Sequence, residues 1–115
     1  MRGRTIGIVG AGFTGAQLTL HLLNRCSDQA RILLIEKSAR LGAGLAYSTG
    51  NPNHLLNVRA GNMSAFSAEP DHFVHCLRTL QPPLKDQLAE PPGPTGFVPR
   101  GLFGAYVQES LADAI

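Results

Sequence analysis

The alternation of apolar and polar positions changes character along the chain, and each change marks an element. Residues Thr5 to Val9 are β-branched and apolar and end at Gly10, which predicts a buried strand. From Gly12 to Asn24 the period becomes helical. Gly15, Leu18, Thr19 and Leu22 form one stripe and Phe13, Ala16, Leu20 and Leu23 a second, so this helix is expected to be covered on two sides. After a polar turn, "RILLI" (31–35) reads as a second buried strand, closed by Glu36. Strand, tight glycine turn, helix and strand make a βαβ unit, with the two strands expected parallel and the crossover right-handed.

Residues 37–68 show no clear period and are rich in Gly, Ser, Asn and Ala, which predicts a long irregular segment. Its apolar residues (Leu41, Tyr47, Leu56, Met63 and Phe66 among them) argue that it packs. A second helix is predicted from about Pro70 to Leu80, with Asp71 in its first turn and Phe73, Cys76, Leu77 and Leu80 on its apolar face. Residues 81–99 hold six of the eight prolines and are expected to form an exposed, stiff connection within a single domain spanning 1–115. A third helix is expected from near Gly101, carrying Leu102, Phe103, Tyr106, Val107 and Leu111 inward.

Composition narrows the class. Charged residues are only 16% of the chain, below the roughly 25% of an average soluble domain, so much of the surface is expected to lie against a cofactor, a partner or further chain. The net charge of +2 is spread out, with only Arg2 and Arg4 clustered, so neither nucleic acid nor a membrane surface is an expected partner. No apolar run reaches a membrane span, and glycines 7, 10, 12 and 15 interrupt any signal-like start. Cys26 and Cys76 have neither metal nor redox spacing and read as reduced thiols of a cytoplasmic protein.

The chemistry concentrates in "GIVGAGFTG" (7–15). Gly10 to Gly15 spell G-x-G-x-x-G directly after a strand and at the opening of a helix, the context in which that pattern carries weight. Gly10 permits the tight turn, Gly12 lets a pyrophosphate approach the backbone, and Gly15 lets helix and strand pack closely. The free amides of the first helical turn, around Phe13 and Thr14, then face the phosphates. Glu36 ends the second strand about 20 positions further on, where a carboxylate accepts hydrogen bonds from an adenosine ribose and repels a 2′-phosphate. Beyond it, "EKSARLGAGLAYS" places Gly42 and Gly44 for a second backbone approach, which favours FAD over NAD. Arg40 is positioned to reach a phosphate and Lys37 flanks the acid; ordinary solvated charge is the alternative for both.

"GIVGAGFTG", "LIEKSARLGAGLAYST", "HLLNVRAGNMSAF", "EPDHF" and "FVPRGLFGAYV" occur in that order. Together they resemble the N-terminal part of the FAD-NAD(P)-binding family, bacterial flavoprotein-like oxidoreductases that are similar more distantly to flavin-dependent N-hydroxylating monooxygenases. The resemblance covers nearly the whole chain apart from the proline-rich stretch. It implies an α/β fold, a Rossmann-like βαβ dinucleotide-binding unit with additional helices forming an incomplete FAD-binding domain. It implies FAD as cofactor and NAD(P)H as hydride-donating co-substrate in the complete protein. It places Gly10, Gly12, Phe13, Thr14 and Gly15 at the pyrophosphate, Glu36 at the ribose, and His54 to Met63 along the flavin, with Asn57 a polar contact. Thr19 stands where such proteins often carry Ala. Family members are several times longer, so further domains or a further chain are expected partners, with the chain alone an incomplete enzyme. A non-catalytic dinucleotide-binding module and an NAD-only dehydrogenase fragment remain the alternatives.

Other constellations carry little. His72 and His75 resemble a metal pair, but the predicted apolar face turns both outward, and no metal site is expected. No C-x2-C or C-x4-C occurs. Because a flavin performs its own electron chemistry, no catalytic side chain is singled out.

Overall fold

A computed structural model describes residues 3–26, 30–38, 41–42, 44, 46–88 and 93–115. Strand β1 (Arg4–Val9) leads through the glycine turn into α1 (Phe13–Cys26), which returns to β2 (Ala30–Ile35). The strands pair in parallel, with Thr5 opposite Arg31, Gly7 opposite Leu33 and Val9 opposite Ile35. Two further helices follow, α2 (His72–Arg78) and α3 (Arg100–Ala114). The chain is therefore a mixed α/β structure with a small, incomplete Rossmann-like unit at its N-terminal side.

The expectation of fully buried strands is corrected. In each strand only alternate residues turn inward, Ile6 and Ile8 from β1 and Ile32 and Leu34 from β2. The opposite face carries Val9, Ile35 and Leu33 at 84%, 52% and 40% exposure. The physical reason is layer count: among the described residues, one face of the sheet has a helix against it and the other has none. Likewise α1 buries Ala16, Thr19 and Leu20 but leaves Leu18 exposed, so it is covered on fewer sides than its two stripes predicted.

The main core lies away from the sheet, where α1, α2 and α3 meet the irregular segment. Phe73, Leu102, Phe103, Val107 and Leu111 are its largest fully buried side chains. The α3 pattern read from the sequence is the one observed, starting one residue earlier at Arg100. Helix α2 is shorter than predicted and buries Phe73, Val74 and Leu77.

The segment after β2 is irregular in its described residues, as expected, and carries a 3-10 turn at Ala60–Asn62. It packs by close backbone approach to α3. A Cβ at Gly104 would collide with the carbonyl oxygen of Tyr47, and one at Gly101 would come within 2.7 Å of that of Thr49. Residues 55–61 then run beside 94–99, through Leu56 N–H to Val98 O (2.8 Å), Ala60 N–H to Gly96 O (2.8 Å) and Gly61 N–H to Pro94 O (2.7 Å). The stretch 81–99 consequently departs from a wholly exposed connection: Val98 is buried, and Leu84 and Leu88 pack against the core.

Candidate dinucleotide site

The glycine turn has the geometry its spacing demanded. Gly10 has φ +94°, a conformation that favours glycine, and its N–H donates to Ile35 O (2.7 Å), which ties the turn to the end of β2. A Cβ at Gly15 would drive into the Gly10 carbonyl oxygen, so the third glycine allows α1 to fold back onto the turn. Gly12 differs. A Cβ there would meet Gly44 Cα at 3.4 Å, an ordinary contact distance. Gly12 and Gly44 thus pack backbone against backbone.

Gly42 and Gly44 close on this turn. The Gly42 N–H donates to Ala11 O (2.5 Å), and both glycines have positive φ, +90° and +60°. The Ser48 hydroxyl donates to Gly44 O and holds the following bend. Gly42 and Gly44, expected from "GAG" to approach the nucleotide, lie here against the first glycine loop itself.

Glu36 sits between these parts. Its Oε1 accepts the Ala11 N–H (2.8 Å) and its Oε2 the Ser38 N–H (2.8 Å). The Ala11 amide foremost, then the Ser38 amide and hydroxyl, hold the carboxyl below the usual range of a glutamate, because each donor stabilises the ionised form. The acid is ionised at neutral pH, partly exposed, and fixed against the loop that opens α1.

The remaining candidates divide. Phe13 contributes its backbone to the first turn, while its ring is committed to the core, 5.6 Å from both Tyr47 and Phe103. Thr14 is exposed at the start of α1, and Lys37 is exposed beside Glu36. Arg40 lies outside the described residues. Asn57 is exposed and makes no hydrogen bond among the described residues; it belongs to the paired 55–61 segment rather than to the glycine turn. His54 holds Thr49 through Nδ1 (2.7 Å). Arg100 donates its amide to His54 O (2.7 Å) and its Nε to Leu55 O (2.9 Å), which pins that segment to the start of α3.

Thr19 fits its slot because its hydroxyl donates to Gly15 O (2.8 Å), so a buried polar atom is satisfied inside its own helix. The outward orientation expected of His72 is corrected. Its Nδ1 lies 2.7 Å from Tyr106 Oη and its ring packs on Phe66 (4.9 Å). Tyr106 is buried, and its oxygen also accepts the Ala65 N–H (3.0 Å), so the histidine supplies the second partner a buried phenol requires. His75 is exposed. No cluster of three or more metal-ligating side chains occurs, and no helix is long and apolar enough to cross a membrane, among the described residues.

Sequence reasoning passed over Ala11 and Ser38 as partners of the acid. A serine two positions after a strand-ending carboxylate was the available signal, since short polar side chains bond their near neighbours.

The site thus comprises a glycine turn that opens α1, an ionised carboxylate bonded to that turn, and a second glycine pair against it. A family model described as FAD-NAD(P)-binding matches residues 7–115. The chain belongs to that FAD-NAD(P)-binding family. No curated protein and no solved structure matches it.

Proposed function

We propose that the chain binds FAD through its ADP half, with the pyrophosphate at Gly10 to Gly15 and the adenosine ribose on Glu36. On this reading it serves an oxidoreductase in which NAD(P)H gives hydride to the flavin. The observation that carries the reading is the hydrogen bond from the Ala11 amide to Glu36: the ribose acid and the phosphate loop form one rigid unit. The glycine pair that follows Glu36 in the sequence favours FAD over NAD. Bound flavin would supply the hydride-accepting chemistry. The chain's own residues bind and orient: amides of the first α1 turn face the phosphates, and the carboxylate takes the ribose hydroxyls.

Titration of the protein with FAD, NAD and ADP-ribose tests this. FAD and ADP-ribose are expected to bind, and Gly12→Val to abolish both, because a branched side chain fills the space against the loop. Glu36→Gln removes charge-assisted hydrogen bonds worth about 1.5–3 kcal/mol, so affinity for ADP-ribose is expected to fall roughly ten- to hundred-fold. Unchanged affinity in both variants would take the loop out of the site, and tight NAD binding without FAD binding would favour an NAD-only dehydrogenase.

A further inference from the structure

We propose that Tyr106 and His72 form a proton-coupled redox pair: the buried phenol gives one electron to an oxygen-derived radical while its proton passes to the imidazole. The geometry sets the direction of the proton. Tyr106 Oη accepts the Ala65 N–H (3.0 Å), and His72 Nδ1 lies 2.7 Å from the same oxygen. The amide fills an acceptor position of the phenol, which leaves the phenol's own hydrogen to point at Nδ1, with the imidazole hydrogen on Nε2. Both partners are held from outside the pair. The Ser64 hydroxyl bonds the carbonyls of Phe66 (3.0 Å) and Glu69 (2.8 Å), which fixes the bend that carries the Ala65 amide. The Phe66 ring stands edge-on to the imidazole, 4.9 Å away.

Taking an electron from a phenol turns its hydroxyl into a strong acid, so oxidation is easy only where a base already receives that hydrogen bond. In a buried site the base must come from the protein, and at Tyr106 it is Nδ1. The forward step balances: one electron leaves Tyr106, the O–H bond breaks, an N–H bond forms at Nδ1, and the oxygen-derived radical is reduced to its anion. A neutral phenoxyl beside an imidazolium results. A one-electron reductant of the thiol or ascorbate class returns the electron, and the proton goes back from Nδ1 to Oη. The pair is also connected. The chain has no tryptophan and two tyrosines, and both pack on Phe103, Tyr47 at 5.0 Å and Tyr106 at 5.6 Å. Phe13, in the first turn of α1, lies 5.6 Å from Tyr47 and from Phe103. Aromatic rings therefore run from the glycine turn to Tyr106 and on to the half-buried His72 (5.4 Å). Among the described residues no imidazole is hydrogen-bonded to Tyr47, so Tyr106 is the tyrosine equipped to lose its proton with the electron. The inference needs no bound cofactor.

The test is time-resolved oxidation of the full chain by a soluble photo-oxidised ruthenium complex and, separately, by a peroxyl-radical source, read by phenoxyl absorption and electron spin resonance. The wild type is compared with Tyr106→Phe, Tyr47→Phe and His72→Phe, each checked for folding by circular dichroism. The wild type is expected to give a phenoxyl signal with both oxidants, to form it more slowly in heavy water, and to show coupling of the radical to an exchangeable hydrogen donated by the imidazolium. Tyr106→Phe should lose the signal and Tyr47→Phe should keep it. His72→Phe should lose the isotope effect and the exchangeable coupling. A signal that survives Tyr106→Phe and vanishes in Tyr47→Phe would overturn the proposal. So would equal rates in light and heavy water, a measurement on the wild type that stands even if a variant does not fold. A wild-type response in His72→Phe would remove the histidine from the step, and a signal with the ruthenium oxidant alone would overturn oxygen-derived radicals as the electron acceptor.

Discussion

The carboxylate of Glu36 is ionised in the folded protein at pH values where a free glutamate is partly protonated, because the Ala11 and Ser38 donors lower its pKa. A lowered folded pKa gives stability that is present above the unfolded value of about 4.3 and is lost as pH falls through the folded value. Acid unfolding followed by circular dichroism should therefore show a limb below about pH 4 that flattens in Glu36→Gln. An identical acid limb in the variant would mean that these bonds do not form in solution. Tyr106 works in the opposite direction. Burial raises its pKa, so the stability it provides is complete below its unfolded value of about 10 and declines as pH rises beyond it. Tyr106→Phe strands the Ala65 amide and His72 Nδ1 without their partner, and is expected to cost about 1–3 kcal/mol in chemical denaturation. It should also remove part of the alkaline decline. A variant as stable as the wild type would place the phenol outside the network.

At the level of elements, close backbone packing sets the positions of α1 and α3. Gly15→Ala pushes a methyl into the Gly10 carbonyl and Gly104→Ala pushes one into that of Tyr47. Neither obstacle is a flexible side-chain end, so each variant should lose roughly 1–3 kcal/mol, the usual cost of overpacking, despite the better helix propensity of alanine. The two should separate in function: Gly15→Ala disturbs the glycine turn and should weaken ADP-ribose binding, whereas Gly104→Ala loosens the segment after β2 first. An equal stability gain in both, as propensity alone predicts, would contradict the packing. These elements also show what was legible beforehand. The α1 and α3 patterns and the β1–α1–β2 order stood in the sequence because periodicity and glycine spacing are local. The inward turn of His72 did not, because its cause is a phenol 34 positions away.

In the whole molecule, the sheet is the exposed element. Val9 and Ile35 are paired neighbours in register, and Leu33 lies on the same side, so the open face is a contiguous apolar patch beside the glycine turn. Such patches on soluble proteins lie against something. The 115-residue polypeptide is expected to self-associate with rising concentration, and Val9→Thr combined with Ile35→Thr, both compatible with strand backbone, should reduce it. Sedimentation velocity gives the answer; a monomer at all concentrations would show that this face is stable in water. The sequence does not say which surface is apolar; the strand register places Val9, Leu33 and Ile35 together on one face.

The sequence by itself determined the parts that depend on near neighbours. These are the βαβ order, the glycine turn with its positive-φ Gly10, the acid at the end of β2, and the inward stripe of α3. Spacing sets them, since helix and strand periods and glycine's missing side chain act over a few residues. Tertiary structure decided the rest, because contacts between distant segments carry no local pattern. It set Glu36 on the Ala11 amide and brought Gly44 against Gly12. It turned Arg100 to the carbonyls of residues 54 and 55, and among the described residues it covered the sheet on one face and left the other open.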